Sequence, residues 1–254
     1  MPKLPHSLER SVVIRAPREV VFRYLTDSER FARWWGPGSS IDGKVGGEVQ
    51  IVYPNQVVAR GAVTMLRQDH GIAFTYGYED PSKPIRPGGS LVTIELHDHA
   101  EGTLVKLHHD LPTAEDRDHH VPGWRFQLAL FANVVADEQH ARLAELTDQW
   151  FAAWAEADAA ARDSLLALCA TDDVRMLDKY ACLQGRDDLS QHIGMCHQLM
   201  PGVVMRRAGD PRQCQGTAVV EWTASDAQGN PRGRGTNVVS LAPDGRIASV
   251  VGFW

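Results

Sequence analysis

Between Gly123 and Gly185 the sequence contains neither glycine nor proline, and this gap constrains the fold more than any other feature. The rest of the chain holds 22 glycines and 14 prolines at short intervals. Both residue types interrupt helices, so a long stretch without them is predicted to be mostly helical. Segments rich in β-branched residues flank it on both sides. Strands, then helices, then strands predict two α+β domains, 1–140 and 141–254.

The composition is that of an ordinary globular protein, and it excludes several classes of function. Hydrophobic residues make up 43% of the chain and charged residues 23%. No apolar run approaches the roughly 18 residues that a membrane-spanning helix requires, and the N-terminus lacks the apolar core of a signal peptide. The net charge is -6 without a basic block, so neither nucleic acid nor a membrane surface is an expected partner.

The cysteines all lie in the second half of the chain, at Cys169, Cys182, Cys196 and Cys214. None forms a C-x-x-C pair. Without a secretion signal, they are expected to be free thiols in a reducing compartment, and we predict a cytoplasmic protein. Their uneven distribution also favours two different domains.

The segment FARWWGPG, residues 31–38, places Trp34 and Trp35 side by side and follows them with Gly-Pro-Gly. Adjacent residues face different sides of a helix or strand, so the two indoles cannot share one core position. Gly-Pro-Gly then ends any regular element. Two interpretations stay open: both tryptophans are structural, or one of them lines a cavity.

The first half is predicted to open with a strand at 11–16, followed by helices beginning at Pro17 and Ser28 and by a series of short strands. A closing helix from Gly123 is predicted to lie across the sheet. It carries an apolar stripe formed by Trp124, Leu128, Phe131 and Val135. We expect this helix to continue to about Ala136 or beyond, with only a short segment before the next one.

Several motifs of the first half occur in the order of a known family: I-x-A-P-x-x-V-V-F-x-x-L-T-D, R-W-W-G-P-G, V-G-G, H-x-x-L-P and G-W. Over about residues 8–140 the chain resembles the SRPBCC (START-like) superfamily, in the branch homologous to activators of the heat-shock-protein-90 ATPase. The resemblance implies a helix-grip fold, in which a sheet curves around a long helix and leaves an apolar cavity. It further implies that one tryptophan of the pair packs in the core and its neighbour faces the cavity. The ligand contacts that we predict in this half are Trp34, Trp35, His109 and Trp124.

Histidines crowd one region of the first half, at His97, His99, His108, His109, His119 and His120. A metal site is not predicted, because the first two flank a hairpin turn and the last two follow an acidic stretch typical of a surface. His109 alternates in phase with Val105 and Leu107, so it is expected to point inward. It is either a polar group of the cavity or a core histidine with its hydrogen bonds satisfied.

Other possible cofactor sites are also disfavoured. His192 and Cys196 lie one helical turn apart, but no second pair with ligand spacing accompanies them, so zinc is not predicted. Cys182 has no local motif of a nucleophile. The glycine-rich pieces GKVGGE and RPGGS lack the context of a phosphate-binding loop, and no cofactor is expected.

The second half is predicted to contain helices first and a meander of strands afterwards. Residues 143–254 resemble the SnoaL-like polyketide cyclases of the nuclear-transport-factor-two-like superfamily, through the motifs A-E-A-D, D-D-V, G-R-D-D-L and D-G-R-I-A-S-V-V-G-F-W. The resemblance implies a cone-shaped α+β barrel with an internal cavity. The complete fold expected is therefore α+β, a START-like helix-grip domain followed by this SnoaL-like domain.

The ketosteroid isomerases belong to the same superfamily, and the shared motifs imply three catalytic positions. Asp178 falls at their proton-shuttling aspartate, Trp150 at an oxyanion-hole tyrosine, and Asn237 at the second oxyanion-hole acid. Tryptophan and asparagine differ from those groups in reach and acidity, so a true steroid isomerase is not expected. Asp178 would be a general base if the apolar strand around it is buried, or a solvated group beside Lys179 if it is not.

Tyr180 and Trp222 complete the ligand contacts predicted in the second half. We predict a cofactor-free enzyme that acts on a hydrophobic, for example polyketide-like, small molecule by isomerisation, cyclisation or dehydration. One alternative is a carrier of such a molecule without turnover. Another is a co-chaperone-like interaction protein, which is disfavoured because the co-chaperone activators add a separate N-terminal domain. The strand TAVVEWTAS, interpreted as apolar on both faces, predicts a homodimer through the second domain.

Overall fold

The computed structural model describes residues 4–254. The chain divides into two compact units, Met1–Ala136 and Asp137–Trp254, which we call the N-terminal and the C-terminal unit. Each unit has its own sheet and its own hydrophobic core, which confirms the predicted α+β class. Among the described residues, no helix is both long and apolar enough to cross a membrane.

The N-terminal unit is one antiparallel sheet with two short helices and one long helix. Its elements are β1 (His6–Ile14), α1 (Arg18–Thr26), α2 (Ser28–Trp35), β2 (Ser40–Ile41), β3 (Glu48–Val52), β4 (Val58–Arg67), β5 (Gly71–Tyr76), β6 (Ser90–His99), β7 (Gly102–Leu111) and α3 (Ala114–Gln139). The strand order is β1-β7-β6-β5-β4-β3-β2. The predicted apolar stripe of α3 is buried in the same core as the inward faces of these strands.

Helix α2 and the turn after it are fixed by local contacts. Asp27, and not the predicted Ser28, caps the helix, because its side chain accepts a hydrogen bond of 2.9 Å from the backbone N–H of Arg30. The helix ends at Gly36, where φ is +141° and an added Cβ would lie 2.6 Å from the carbonyl oxygen of Val52. Only glycine fits this conformation and this approach to β3.

Helix α3 begins nine residues before the predicted start at Gly123. Thr113 caps it: its Oγ1 accepts a hydrogen bond of 3.0 Å from the backbone N–H of Asp116. Pro122 lies inside the helix and does not end it. The predicted continuation is confirmed, because α3 runs to Gln139 and the next helix begins at Leu143.

The C-terminal unit is a six-stranded mixed sheet with three helices. Its elements are α4 (Leu143–Ala155), α5 (Ala159–Cys169), β8 (Ala170–Leu177), β9 (Cys182–Gln184), α6 (Arg186–Leu199), β10 (Val204–Cys214), β11 (Thr217–Ser225), β12 (Pro231–Leu241) and β13 (Ile247–Phe253). The strand order is β10-β11-β12-β13-β8-β9, in which only β13 and β8 are parallel among the pairs of this unit. Buried residues of the three helices share one core with the inward face of this sheet.

Two features of the strands differ from the prediction. The strand expected through Asp178 is split, because β8 ends at Leu177 and a turn leads to β9. Strand β11 is apolar on one face only, because buried and exposed residues alternate along it. Glu221 and Thr223 are exposed on the other face, where Val219 is half-buried.

Candidate functional site

Polar residues meet on the inward face of the C-terminal sheet, in what we call the concave row. Asn237 of β12 pairs with Gly252 of β13, and Val251 pairs with Leu177 of β8, so Asp178 follows beside Gly252. A Cβ added to Gly252 would lie 3.4 Å from the Oδ1 atom of Asn237 and 3.4 Å from the Cβ atom of Asp178. The glycine therefore leaves a methyl-sized space between the amide oxygen of Asn237 and the Cβ atom of Asp178.

A hydrogen bond from Trp222 sets the orientation of the Asn237 amide. The Nε1 atom of Trp222 donates to the Oδ1 atom of Asn237 at 3.2 Å, and both side chains are buried. An indole N–H can only donate, so the amide oxygen must face the tryptophan. The NH₂ group is left as a donor for a ligand, which is the role that an oxyanion-stabilising group requires.

Asp178 is held at the end of β8 by a turn that its own side chain makes. Its Oδ1 atom accepts hydrogen bonds from the backbone N–H groups of Tyr180, at 2.7 Å, and Ala181, at 2.8 Å. This arrangement is an Asx turn, and it is the physical reason that the predicted strand breaks here. The side chain is half-buried. One carboxylate oxygen is fixed by the backbone, and the other is left to contact a ligand.

Helix α6 contributes a thiol and an imidazole near this carboxylate. Burial, and secondly the negative charge of Asp178, raise the pKa of the Cys196 thiol, so it stays protonated. Its Sγ atom lies 3.5 Å from the Nε2 atom of His192. A protonated thiol is a poor nucleophile, which argues against thiolate chemistry at this position.

Two tryptophan rings of α4 extend from His192 to Trp150, one of the predicted site residues. The ring centroid of Trp154 lies 6.0 Å from that of His192 and 6.4 Å from that of Trp150. Trp150 is a buried core residue, whereas the Nε1 atom of Trp154 is buried without a hydrogen-bond acceptor in the described part of the chain. The sequence interpretation missed Trp154, although its spacing of four from Trp150 on one helix was a usable signal.

Tyr180 does not belong to this interior. Its side chain is 73% exposed and packs on Trp254, with 5.2 Å between the ring centroids. The ammonium group of Lys179 lies 4.4 Å from the Trp254 ring and 4.9 Å from the Tyr180 ring. The prediction of a buried ligand contact at Tyr180 is corrected, because the Asx turn of Asp178 interrupts the alternation that would have directed this side chain inward.

The two adjacent tryptophans of the N-terminal unit have different roles. Trp34 is fully buried, and its Nε1 atom donates to the carbonyl oxygen of Tyr24 at 3.0 Å, so it is a structural residue. Trp35 is 5% exposed, and its Nε1 atom has no acceptor within residues 4–254. Its ring lies edge-on to those of Trp124, at 5.5 Å, and Tyr53, at 5.9 Å.

His109 is buried, and both of its ring nitrogens have partners within the protein. The Nε1 atom of Trp124 donates to His109 Nδ1 at 3.0 Å, and His109 Nε2 lies 2.9 Å from Ser90 Oγ. Because an indole only donates, the proton of the neutral ring is on Nε2. Burial, and secondly the nearby His120, lower the pKa of His109 to about 3. The geometry favours the core histidine over the cavity group and leaves neither Trp124 nor His109 a free polar atom for a ligand.

A group of residues that the sequence interpretation missed begins next to Trp35, at Tyr53. We call Tyr53, Tyr76, Tyr78 and His120 the tyrosine–histidine cluster. The hydroxyls of Tyr53 and Tyr76 lie 2.7 Å apart, and the hydroxyl of Tyr78 lies 3.2 Å from His120 Nε2. His120, expected at the surface, is only 9% exposed. Two spacings could have indicated the cluster: Tyr78 follows Tyr76, the last residue of β5, at a spacing of two, and His120 and Trp124 share a helix face.

The described residues contain no group of three or more His, Cys, Asp or Glu side chains that could hold a metal ion. In particular, the pair formed by His192 and Cys196 has no third ligand of these types among residues 4–254. The crowded histidines of the first half form no such group either, because His109 and His120 are buried in separate hydrogen bonds.

Comparison with known proteins gives a different likeness for each half. The family model described as activator of Hsp90 ATPase homolog 1-like protein matches residues 15–136. An AHSA1-like protein from Rhizobium etli is 33% identical, with 54% of this chain and 87% of that one covered and a TM-score of 0.43. An isomerase, so described, of the SnoaL-like family from Agrobacterium tumefaciens is 29% identical, with 46% and 97% covered and a TM-score of 0.42. No curated protein matches the sequence.

The Aha1 dimer from Colwellia psychrerythraea is 19% identical over 48% of this chain and 90% of that one, with a TM-score of 0.42. The two sheet topologies confirm the predicted α+β class, and the family match covers most of the first predicted domain.

Proposed function

We propose that the C-terminal unit carries out a cofactor-free reaction on a hydrophobic small molecule, whereas residues 15–136 match the activator of Hsp90 ATPase homolog 1-like family. The reaction is a proton transfer next to a carbonyl group, which leads to isomerisation, cyclisation or dehydration. The observation that carries this proposal is the concave row, in which Asp178 and Asn237 lie on either side of Gly252 and Trp222 holds the amide oxygen of Asn237, so that its NH₂ group is the available donor.

In the proposed step, Asp178 acts as the base, and Asn237 stabilises the negative charge that develops on the ligand. The free oxygen of Asp178 takes a proton from the carbon beside the ligand carbonyl, and the electron pair of the broken C–H bond moves onto the carbonyl oxygen. The NH₂ group of Asn237 donates to the enolate oxygen that develops. Asp178 then returns the proton to the same or another carbon, so that no cofactor is consumed.

The surroundings of the row suit an apolar ligand. Trp150 and Trp154 provide aromatic surface, and the protonated thiol of Cys196 adds no charge. A carrier would need this apolar surface but not a carboxylate beside an oriented amide donor. The juxtaposition of Asp178 and Asn237 therefore favours turnover over storage.

Hydrogen exchange in D₂O tests this proposal without knowledge of the natural substrate. The probes are 2-tetralone and benzoylacetone, two hydrophobic ketones with acidic α-protons, and NMR follows the loss of those protons. We expect the wild-type protein to accelerate exchange of at least one probe, and Asp178→Asn to lower that rate by roughly two to four orders of magnitude. Binding, measured by tryptophan fluorescence, should change little.

Asp226 offers a matched control for this substitution. Its Oδ1 atom also accepts two backbone N–H hydrogen bonds, from Gln228 at 3.0 Å and Asn230 at 2.9 Å, in an exposed turn. Asp226→Asn should leave the exchange rate unchanged. Binding of both probes without any acceleration would support the carrier instead, and equal rates in wild type and Asp178→Asn would exclude Asp178 as the base.

We also propose that the protein forms a homodimer through the outward face of the C-terminal sheet. The strand register places Val219, Val238, Val251 and Leu177 in one row across β11, β12, β13 and β8. Leu177 is 44% exposed, and the three valines are half-buried. A second copy of this chain would cover an apolar row that water otherwise contacts.

A further inference from the structure

We propose that the C-terminal unit dehydrates a hydrophobic β-hydroxy ketone, and that His192 is the acid that protonates the departing hydroxyl group. This inference rests on the proposed function, in which Asp178 removes an α-proton, and it adds the substrate class and a second catalytic residue. Asp178 and Asn237 act at the carbonyl end of such a ligand. The groups that would act at its β-carbon lie on helices α4 and α6.

The first observation is the position of His192 on α6. This helix packs against β8, the strand that ends just before Asp178. Cys196 lies one helical turn after His192, and its Sγ atom is 3.5 Å from His192 Nε2. Burial, and secondly the negative charge of Asp178, raise the pKa of the Cys196 thiol, so the carboxylate lies close to this thiol. The imidazole and the carboxylate are therefore separated by about one side chain.

The second observation is the unpartnered indole of Trp154. Its Nε1 atom is buried and has no hydrogen-bond acceptor among residues 4–254. The indoles of three other tryptophans, Trp34, Trp124 and Trp222, each donate to a protein acceptor. The Trp154 ring lies edge-on to the ring of His192, with 6.0 Å between the centroids. Burying an N–H group without an acceptor is unfavourable, and a ligand oxygen beside His192 would satisfy it.

The contact with Cys196 determines which nitrogen of His192 can reach a ligand. In the protonated ring both nitrogens carry a proton, and Nε2 faces the sulfur atom. Nδ1 has no hydrogen bond within the described part of the chain. A ligand oxygen at this point would accept from His192 Nδ1 and from Trp154 Nε1. Two donors favour an oxygen that departs as water, whereas cleavage of the neighbouring C–C bond needs a base that removes the hydroxyl proton.

Dehydration uses these groups in two stages, enolate formation and loss of the hydroxyl group. Asp178 takes the α-proton, and the electron pair of the C–H bond moves onto the carbonyl oxygen beside Asn237. This pair then forms the new C=C bond while the bond from the β-carbon to the hydroxyl oxygen breaks. The proton of His192 Nδ1 passes to that oxygen, which leaves as water. The proton on Asp178 returns to His192 through the released water, so no co-reactant is consumed.

The aromatic side chains of α4 indicate a suitable probe. Trp150 and Trp154 lie 6.4 Å apart and suit an aryl group on the β-carbon of the ligand. The β-hydroxy ketone 4-hydroxy-4-phenylbutan-2-one has this group, and its dehydration gives benzalacetone, which ultraviolet absorption detects. In D₂O, NMR of the same sample follows exchange of the α-protons, a step that requires Asp178 but not His192. One sample therefore separates this inference from the proposed function.

Substitutions in the full-length protein test the assigned acid. We expect the wild-type protein to accelerate both exchange and dehydration. His192→Gln keeps an amide near Cys196 but cannot release a proton, so it should lower the dehydration rate by roughly two orders of magnitude or more and leave exchange nearly unchanged. Trp154→Phe should lower the dehydration rate by about tenfold, since it removes one neutral donor. His197 is half-buried on the same helix, and His197→Gln should change neither rate.

The possible outcomes support or overturn the inference separately from the proposed function. Exchange without dehydration in the wild-type protein would overturn this inference alone, whereas the absence of exchange would exclude both. Formation of benzaldehyde and acetone would show C–C cleavage and would also overturn it. Equal dehydration rates in wild type and His192→Gln would exclude His192 as the acid. If His192→Gln does not fold, Trp154→Phe decides, because an unchanged dehydration rate in that variant would exclude the proposed position of the hydroxyl group.

Discussion

Single tryptophan residues decide how several neighbouring side chains are oriented in this protein. An indole N–H only donates, so the contacts of Trp124 and Trp222 identify which atoms of His109 and Asn237 accept. The two polar groups behave differently as a result. His109 uses both nitrogens within the core, whereas Asn237 uses its amide oxygen there and its NH₂ group is the donor that we propose for a ligand.

The neutral state of His109 leads to a pH dependence of stability. Its pKa is lowered from 6.5 to about 3, chiefly by burial, so between these values the unfolded chain binds a proton that the folded chain does not. The free energy of unfolding must then fall as the pH drops below about 6.5, by up to about 1.4 kcal/mol per pH unit. His120, whose pKa is lowered as well, adds to the loss in the same direction.

Urea denaturation at pH 7 and pH 5 measures this loss. We expect His109→Gln to lower the stability at pH 7, because it disturbs the bonds to Trp124 and Ser90, and also to reduce the difference between the two pH values. His70 is exposed and serves as the control, since His70→Gln should keep the wild-type difference. A difference that is the same in His109→Gln and wild type would contradict this account.

At the level of helices and strands, periodicity predicted the elements that bury one face. The stripe of α3 and the alternation of β7 follow directly from apolar spacing, and the structure confirms both. The predicted start of α3 and the predicted strand through Asp178 were wrong, because hydrogen bonds from backbone N–H groups to side chains set these boundaries. Thr113 caps a helix that continues through Pro122, and Asp178 closes a turn within an apolar stretch.

The candidate sites were only partly predictable for a related reason. The sequence could indicate that Asp178, Asn237 and Trp222 lie on strands or near their ends. It could not indicate that β13 places Gly252 between the first two, because strand register is a property of long-range pairing. The tyrosine–histidine cluster depends in the same way on three parts of the chain that are distant in sequence: the ends of β3 and β5, and helix α3.

The turn after α2 provides a prediction at this scale. Gly36→Ala would place a Cβ 2.6 Å from the Val52 carbonyl oxygen at a φ of +141°, so both the close approach and the backbone oppose it. Gly46 also has a positive φ, +83°, but nothing lies within 4 Å of its added Cβ. In urea denaturation we expect Gly36→Ala to lower the free energy of unfolding by about 2 kcal/mol or more, and Gly46→Ala by about 1 kcal/mol. Equal losses would mean that the approach to β3 does not require glycine.

In the whole molecule, one chain joins two units that each have a complete core and a separate candidate site. The concave row offers a carboxylate with an amide donor, which suits proton transfer. The tyrosine–histidine cluster with Trp35 contains neutral polar groups only, so it lacks the carboxylate base that this transfer uses.

The proposed homodimer is the prediction that concerns the whole molecule. The outward row of Val219, Val238, Val251 and Leu177 is continuous across four strands, and a chain of 28.1 kDa should therefore give twice that mass in light scattering at micromolar concentration. Val238 lies within this row, so Val238→Lys places a charge in the interface and should give the monomer mass.

A matched control separates loss of the interface from a general effect of a new charge. Val45 of the N-terminal unit is 65% exposed, and Val45→Lys should stay dimeric. Circular dichroism must show that both variants are folded, because Val238 is half-buried. A monomer mass for the wild-type protein would exclude the dimer, and a dimer that persists in folded Val238→Lys would exclude this face as its interface. If the mass of the wild-type protein rises with concentration, Val238→Lys should shift this rise to higher concentration and Val45→Lys should not. That result would assign the interface to the outward row, because a substitution outside the contact leaves the association constant unchanged.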